Sequence, residues 1–154
     1  MPITLSDIRA ARERIAGRVL RTPCLPAPRL SDELGCDVHC KFENAHPTGS
    51  FKERGACNRL MLLDESARKR GVIAASAGNH ALGLAYHGRA MGLPVTVVMP
   101  VGAPVSKVGR CKALGANVVL SGSDFDSART HAHRLRDEQH LTYVNGFDDP
   151  EIIA

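Results

Sequence analysis

A repeated cycle of helix, glycine and short apolar strand, from about residue 52 to residue 145, most constrains the fold of this chain. The strands of this repeat are almost continuously apolar, which is typical of a parallel sheet covered on both faces. The sequence therefore predicts an α/β fold with an open parallel sheet and helices on both faces. The predicted strands are residues 72–75, 95–99, 117–120 and 141–144.

Helices are predicted from apolar spacing and from their end signals. A capping-box pattern at Thr4 and Asp7 predicts a first helix. Apolar residues from Ala56 to Ala67 step by 4, 3 and 4 positions, which predicts one helix from Lys52 to Gly71. Between these helices, an irregular stretch with several prolines begins at Thr22. Residues 36–43 alternate like a strand, with Val38, Cys40 and Phe42 on its inward face.

The final residues predict another helix start, because Pro150 lies between Asp148 and Glu151. Only three residues follow Glu151, whereas a stable helix needs more than one turn. We therefore expect a truncated chain.

Bulk composition favours a cytoplasmic protein of ordinary surface chemistry. The net charge is +4, but the basic residues are scattered and only 4% of residues are aromatic, which argues against nucleic-acid binding. There is no apolar run long enough for a membrane span and no signal-peptide pattern. The five cysteines match no zinc spacing, so we expect buried free thiols and no metal site.

The lysine loop, residues 47–55, places Lys52 at the start of a predicted helix. The positive end of the helix dipole and the charge of Arg54 both disfavour an ammonium group there. A neutral lysine amine is the form that reacts with carbonyl compounds. By itself, however, this pattern favours an ordinary exposed lysine on the first helical turn.

The asparagine loop, residues 76–80, joins an apolar strand to the next predicted helix. Its small residues allow close backbone approach, and amides at a helix N-terminus can bind a carboxylate or a phosphate. Ser76, Asn79 and His80 add neutral hydrogen-bonding side chains. The alternative is a capped turn with no ligand.

The two loops together resemble the pyridoxal 5′-phosphate (PLP) dependent serine/threonine dehydratases of the tryptophan-synthase-β-like fold, called fold type II. The resemblance rests on residues 41–44, on the lysine loop, and on residues 75–81 of the asparagine loop and its flanks. Residues 21–23, 98–108 and 147–151 fit the same family in the same order. The resemblance implies that residues 1–51 begin the large PLP domain, that residues 52–145 form a small α/β domain, and that residues 146–154 return to the large domain.

The resemblance also implies roles for individual residues. Lys52 is the catalytic lysine that bonds covalently to PLP, and Phe51 packs beside the cofactor ring. Asn79 binds the cofactor's ring oxygen. The substrate carboxylate is held by the asparagine loop, that is by Ser76, Ala77, Gly78, Asn79 and His80. The implied partners are a small amino-acid substrate and further copies of the chain in a homo-oligomer, with no nucleic acid or membrane.

The implied reaction is the dehydration and deamination of L-threonine or L-serine. Ala77 stands where a serine racemase of this family has an acid/base serine, which disfavours racemisation because alanine cannot transfer a proton. Two alternatives remain open. One is a β-replacement enzyme of the cysteine-synthase type, and the other is an inactive fragment or a binding module.

Overall fold

The structure is a computed structural model that describes residues 2–154 and contains two sheets. In chain order the elements are α1 (Leu5–Arg14), β1 (Cys24–Pro26), α2 (Pro28–Leu34), β2 (His39–Lys41), α3 (Lys52–Met61), α4 (Glu65–Arg70), β3 (Val72–Ala75), α5 (Asn79–Met91), β4 (Val95–Met99), α6 (Val105–Ala113), β5 (Asn117–Leu120), α7 (Phe125–Gln139), β6 (Thr142–Tyr143) and α8 (Pro150–Ile153). A 3₁₀ turn, Glu43–Ala45, lies between β2 and α3.

The main sheet is parallel, with the strand order β5-β4-β3-β6, and it confirms the predicted α/β class. Successive side chains of a strand point to opposite faces, so each strand contributes to two cores. On one face Val72 and Ala74 pack with residues of α3, α5 and α6. On the other face Ile73 and Ala75 pack with Ala128 and Ala132 of α7. Helices therefore cover both faces, as the continuous apolar strands predict.

The predicted helix from Lys52 to Gly71 is wrong in one respect, because it is two helices. Asp64 accepts a hydrogen bond from the Ala67 amide and so caps the start of α4. Arg68 donates to the backbone carbonyls of Met61 and Leu63, which satisfies the end of α3. The apolar spacing continues through the break, and this is why the pattern alone does not show it.

The region before the lysine loop differs most from prediction. The capping box at Thr4 and Asp7 is confirmed. The predicted strand 36–43 shrinks to β2, which pairs antiparallel with β1, and the stretch predicted as irregular holds β1 and α2. Phe42 is 41% exposed rather than inward-facing, and the residues of β1 and β2 beside it are exposed or only partly buried. Two cysteines predicted to be buried, Cys24 and Cys36, are exposed free thiols.

The last segment, residues 146–154, packs along one side of α3. A side chain at Gly55 would collide with the backbone carbonyl of Ile152. Asn58 donates to the Glu151 carbonyl at 2.6 Å, and Arg59 pairs with Asp149 at 3.2 Å. These contacts hold the last segment against α3, and this segment supplies the residues that face Lys52.

None of the helices within residues 2–154 has both the length and the apolar character to cross a membrane. The three sequence ranges assigned to domains stay a prediction.

Candidate active site

Lys52 is the first residue of α3, at the end of the turn that begins with Pro47. Its Nζ donates to the Gly146 carbonyl at 2.5 Å. The same atom lies 5.3 Å from the ring centroid of Phe51 and 5.0 Å from that of Phe147, within the range of cation–π attraction. Among residues 2–154 no carboxylate lies within ion-pair distance of this amine. The amine is therefore held by a backbone carbonyl and two rings, without a counter-charge.

A pocket of about 340 Å³ opens beside this amine. Its wall is mostly apolar and joins the start of α3 to the segment after β6. The lining residues are Phe51, Lys52, Arg54, Gly55, Gly146, Phe147, Ile152, Ile153 and Ala154.

A buried carboxylate holds the lysine loop in shape. Glu53 is 1% exposed and accepts a hydrogen bond from the Thr48 amide at 2.6 Å. Its other oxygen faces His46 at 3.6 Å and His87 at 3.8 Å. Thr48 and Glu53 therefore close the loop just before and just after Lys52.

Arg54 is paired with a carboxylate of the 3₁₀ turn, Glu43. Its Nε and Nη2 donate to the two oxygens of Glu43, at 2.7 and 2.8 Å. The hydrogen bonds from Arg54 are the main reason that the pKa of Glu43 falls from 4.5 to about 2. Arg54 thus fastens the lysine loop to the 3₁₀ turn.

The asparagine loop leads from β3 into α5, with Gly78 as the residue before the helix. Ser76 Oγ accepts long hydrogen bonds from the amides of Gly78 and Ala81, at 3.3 and 3.4 Å. The first amides of a helix have no intrahelical acceptor, so those of Asn79 and His80 suit an anion. The loop geometry is compatible with the predicted carboxylate site.

Asn79 is exposed, and its side-chain orientation is set by α6. Its Oδ1 accepts a hydrogen bond from Lys107 Nζ at 2.9 Å. Since that oxygen is occupied, the amide nitrogen of Asn79 is left to donate. A donor at this position agrees with the predicted contact to a cofactor ring oxygen.

His80 is buried, unlike the neighbouring Asn79. It is 4% exposed, and its Nε2 lies 3.2 Å from the Val144 carbonyl. Burial is the largest cause that lowers the pKa of His80 from 6.5 to about 4, so the imidazole is neutral at pH 7. Its Nδ1 is buried without a hydrogen-bond partner.

Gly146 and Phe147 are site residues that reasoning from the sequence missed. They follow β6, and β6 lies beside β3, which leads into the asparagine loop. The rule that ligands gather at the carboxyl ends of parallel strands points to this position. Its use requires the strand order, which is not visible in the sequence.

The residues around Lys52 fit a cofactor that bonds to a lysine. The amine has no carboxylate partner within the described chain and reaches a pocket walled by two aromatic rings. The start of α5 adds amides for an anionic group. The aldehyde of PLP suits the Lys52 amine, and the carboxylate of an amino-acid substrate suits the amides.

Comparison with known proteins agrees with this fit. A family profile described as "Pyridoxal-phosphate dependent enzyme" matches residues 15–154. An L-threonine ammonia-lyase from Thermotoga maritima is 45% identical over 152 residues, which are 99% of this chain and 38% of that protein. The catabolic L-threonine dehydratase of Escherichia coli K12 is 37% identical, over 100% of this chain and 47% of its own length.

Two solved structures have a fold similar to that of this chain. Threonine deaminase isoform 2 from Solanum lycopersicum, in its processed form, has a TM-score of 0.86 and 40% identity, over 97% of this chain and 40% of that one. Maize serine racemase has a TM-score of 0.93 and 30% identity, over 99% of this chain and 46% of that one. This chain thus spans less than half the length of each of these relatives.

Proposed function

This chain belongs to the pyridoxal-phosphate-dependent enzymes, and from that premise we propose that it carries the lysine and the substrate loop of an L-threonine or L-serine ammonia-lyase. The observation that carries the proposal is the Lys52 amine, which has no carboxylate partner among residues 2–154 and faces a pocket between Phe51 and Phe147. The named relatives that are threonine ammonia-lyases, dehydratases or deaminases support the choice of reaction.

In this proposal Lys52 bonds to the cofactor and, when released, accepts the α-proton of the substrate at Nζ. PLP, when bound, supplies an electron sink for the charge left on the substrate's α-carbon. Phe51 and Phe147 place their rings on either side of the pocket beside the amine. The amide nitrogen of Asn79, which can only donate, would bind the cofactor ring oxygen while its Oδ1 accepts from Lys107.

The asparagine loop holds the substrate carboxylate in the proposed complex. Its amides at the start of α5 are suited to an anion, and Ser76 shapes the loop through its hydroxyl. Ala77 has no proton to give, so a proton cannot be delivered from this position, and elimination is favoured over racemisation. Loss of water gives an enamine, and its imine tautomer takes up water and releases ammonia, so that L-threonine yields 2-oxobutyrate and L-serine yields pyruvate.

The direct test is covalent trapping. The chain is incubated with PLP, reduced with borohydride and digested, and the modified lysine is located by mass spectrometry. We expect the modification on Lys52 and its complete loss in Lys52→Ala, with Lys112→Ala as the matched control that retains it. Modification spread equally over several lysines would contradict the proposal.

A second candidate is a binding module that takes up PLP without turnover. The chain covers 38–47% of the length of the two curated relatives described above, so turnover is tested separately from cofactor uptake. Release of 2-oxobutyrate from L-threonine separates the two candidates. Turnover of O-acetylserine with sulfide would instead favour the β-replacement alternative.

The same proposal includes a cytoplasmic location and self-association into a homo-oligomer. Sedimentation analysis of the purified chain tests the second of these, and a single monomeric species would contradict it.

A further inference from the structure

The imidazole of His80 is turned away from solvent and towards the segment after β6. Its Nε2 lies 3.2 Å from the carbonyl oxygen of Val144. Because a carbonyl oxygen only accepts hydrogen bonds, Nε2 must carry the proton and donate it. The other nitrogen, Nδ1, is then the unprotonated one, and it is buried without a partner.

Gly146 lies directly against this ring. A Cβ added at Gly146 would come within 2.9 Å of His80 Cγ and Cδ2. On the other side Val144 is fixed to β3, since its amide donates to the Ile73 carbonyl at 2.9 Å. The position of the 144–146 backbone is therefore set jointly by β3 and by His80.

The carbonyl oxygen of Gly146 accepts a hydrogen bond from Lys52 Nζ at 2.5 Å. One turn after His80, a Cβ added at Gly83 would lie 3.1 Å from the Lys52 carbonyl oxygen. The first turns of α5 thus contact the backbone of Lys52 directly and its amine indirectly through Gly146.

The charged groups that act on His80 are Lys52, which disfavours protonation of the ring, and Asp149, which favours it, and both effects are smaller than that of burial. A neutral ring that already donates to a backbone carbonyl has no free proton to offer a carboxylate. The backbone amide of His80 remains suited to binding the substrate carboxylate, the role that was predicted for this residue.

We infer that His80 is a positioning residue, whose side chain acts on Lys52 through the Gly146 carbonyl rather than on the substrate. The inference rests on the proposed function only in taking Lys52 as the cofactor lysine. Whenever Lys52 is not bonded to the cofactor, this arrangement holds its amine at one point of the pocket.

The test measures Lys52 with a reagent unrelated to the cofactor. The chain is labelled with a trace of acetic anhydride at pH 8, and the acetylation of Lys52 relative to that of the exposed Lys112 is read by mass spectrometry. His80→Leu removes the donor, and Gly146→Ala forces the His80 ring and the backbone at residue 146 apart. We expect both to raise the Lys52 ratio on the order of tenfold, since the hydrogen bond from the Lys52 amine to the Gly146 carbonyl is weakened. His80→Gln keeps an N–H donor and should restore the wild-type ratio.

A wild-type ratio in folded His80→Leu and Gly146→Ala, with unchanged circular dichroism, overturns the inference. A raised ratio in His80→Gln as well overturns it too, because the donor would then be irrelevant. If His80→Leu does not fold, Gly146→Ala decides alone. Borohydride trapping with PLP is run in parallel, and absence of adduct on wild-type Lys52 would refute the proposed function while the acetylation ratio still decides the role of His80.

Discussion

The lysine loop and the asparagine loop both lead into a helix at the same site, but different kinds of group hold them. Carboxylates hold the first loop, and uncharged groups hold the second. The lysine loop depends on carboxylates, since Glu53 binds the Thr48 amide and Glu43 binds Arg54. The asparagine loop depends on neutral groups, namely the hydroxyl of Ser76 and the uncharged ring of His80. Carboxylates thus fix the loop that carries the reactive lysine, whereas none of the contacts given above for the asparagine loop involves a carboxylate. An anion site gains from this, because no fixed negative charge competes with its ligand.

Removal of the buried carboxylate should give the largest loss of stability. Glu53→Ala leaves the Thr48 amide without its acceptor and removes the charge that faces His46 and His87. We expect the free energy of unfolding to fall by about 3–5 kcal/mol, the range for breaking a buried charged contact. Urea unfolding at pH 7 measures it.

Glu65→Ala is the matched control for this variant. Glu65 is paired with Lys69 at 2.7 Å, but its side chain is 82% exposed. Its loss should cost less than about 1 kcal/mol. Equal losses in the two variants would show that burial of Glu53 does not matter.

The asparagine loop should be the first to weaken as the pH falls. His80 binds a proton near pH 6.5 when unfolded but only near pH 4 when folded, so the unfolded chain binds more protons between these values. The free energy of unfolding should therefore decrease from about pH 6.5 down to about pH 4, by about 3 kcal/mol in total from this residue. Urea unfolding across this range, compared with His80→Gln, isolates the contribution. Parallel pH profiles for the two proteins would contradict it.

Burial also separates the elements that the sequence predicts correctly from those that it does not. The strands β3, β4 and β5 match their predicted bounds, because each is a short apolar run that follows a glycine or a helix end and enters a two-sided core. The pairing of β1 with β2 was missed because β1 is three residues long and exposed, so no apolar period marks it.

The candidate site shows the same limit. The start of α3 at Lys52 and of α5 at Asn79 were predicted from local signals, and both are confirmed. The contact between Lys52 and Gly146 joins residues 94 positions apart, and it depends on the placement of β6 beside β3. The burial of His80 likewise depends on Gly146, and nothing in its own loop distinguishes it from an exposed residue.

Replacement of Glu43, the partly exposed carboxylate, should lower the stability less than replacement of Glu53. The contribution of Glu43 should change with pH in a more acidic range than that of His80. The pKa of Glu43 is about 2 when folded and near 4.5 when unfolded, so its stabilisation is present above pH 4.5 and is lost as the pH falls towards 2. Because the Glu43–Arg54 pair is partly exposed, Glu43→Gln should cost only about 1 kcal/mol at pH 7. Glu138→Gln, in the exposed pair with Arg134, serves as control and should change stability less. A loss for Glu43→Gln as large as that for Glu53→Ala would mean that exposure does not separate the two carboxylates.

The smallest effect is expected for Ser76→Ala. The hydrogen bonds that Ser76 Oγ accepts from Gly78 and Ala81 are long, at 3.3 and 3.4 Å, so their loss should cost about 0.5 kcal/mol. The local consequence is more informative than the global one, because the freed amides should exchange with deuterium faster while the rest of α5 stays protected. Ser106→Ala, at an exposed position of α6, provides the control and should change neither. If Ser76→Ala instead destabilised the chain as much as Glu53→Ala, the asparagine loop would be a rigid element like the lysine loop. A small loss with local exchange would mean that the predicted anion site can adjust to its ligand while the reactive amine stays fixed.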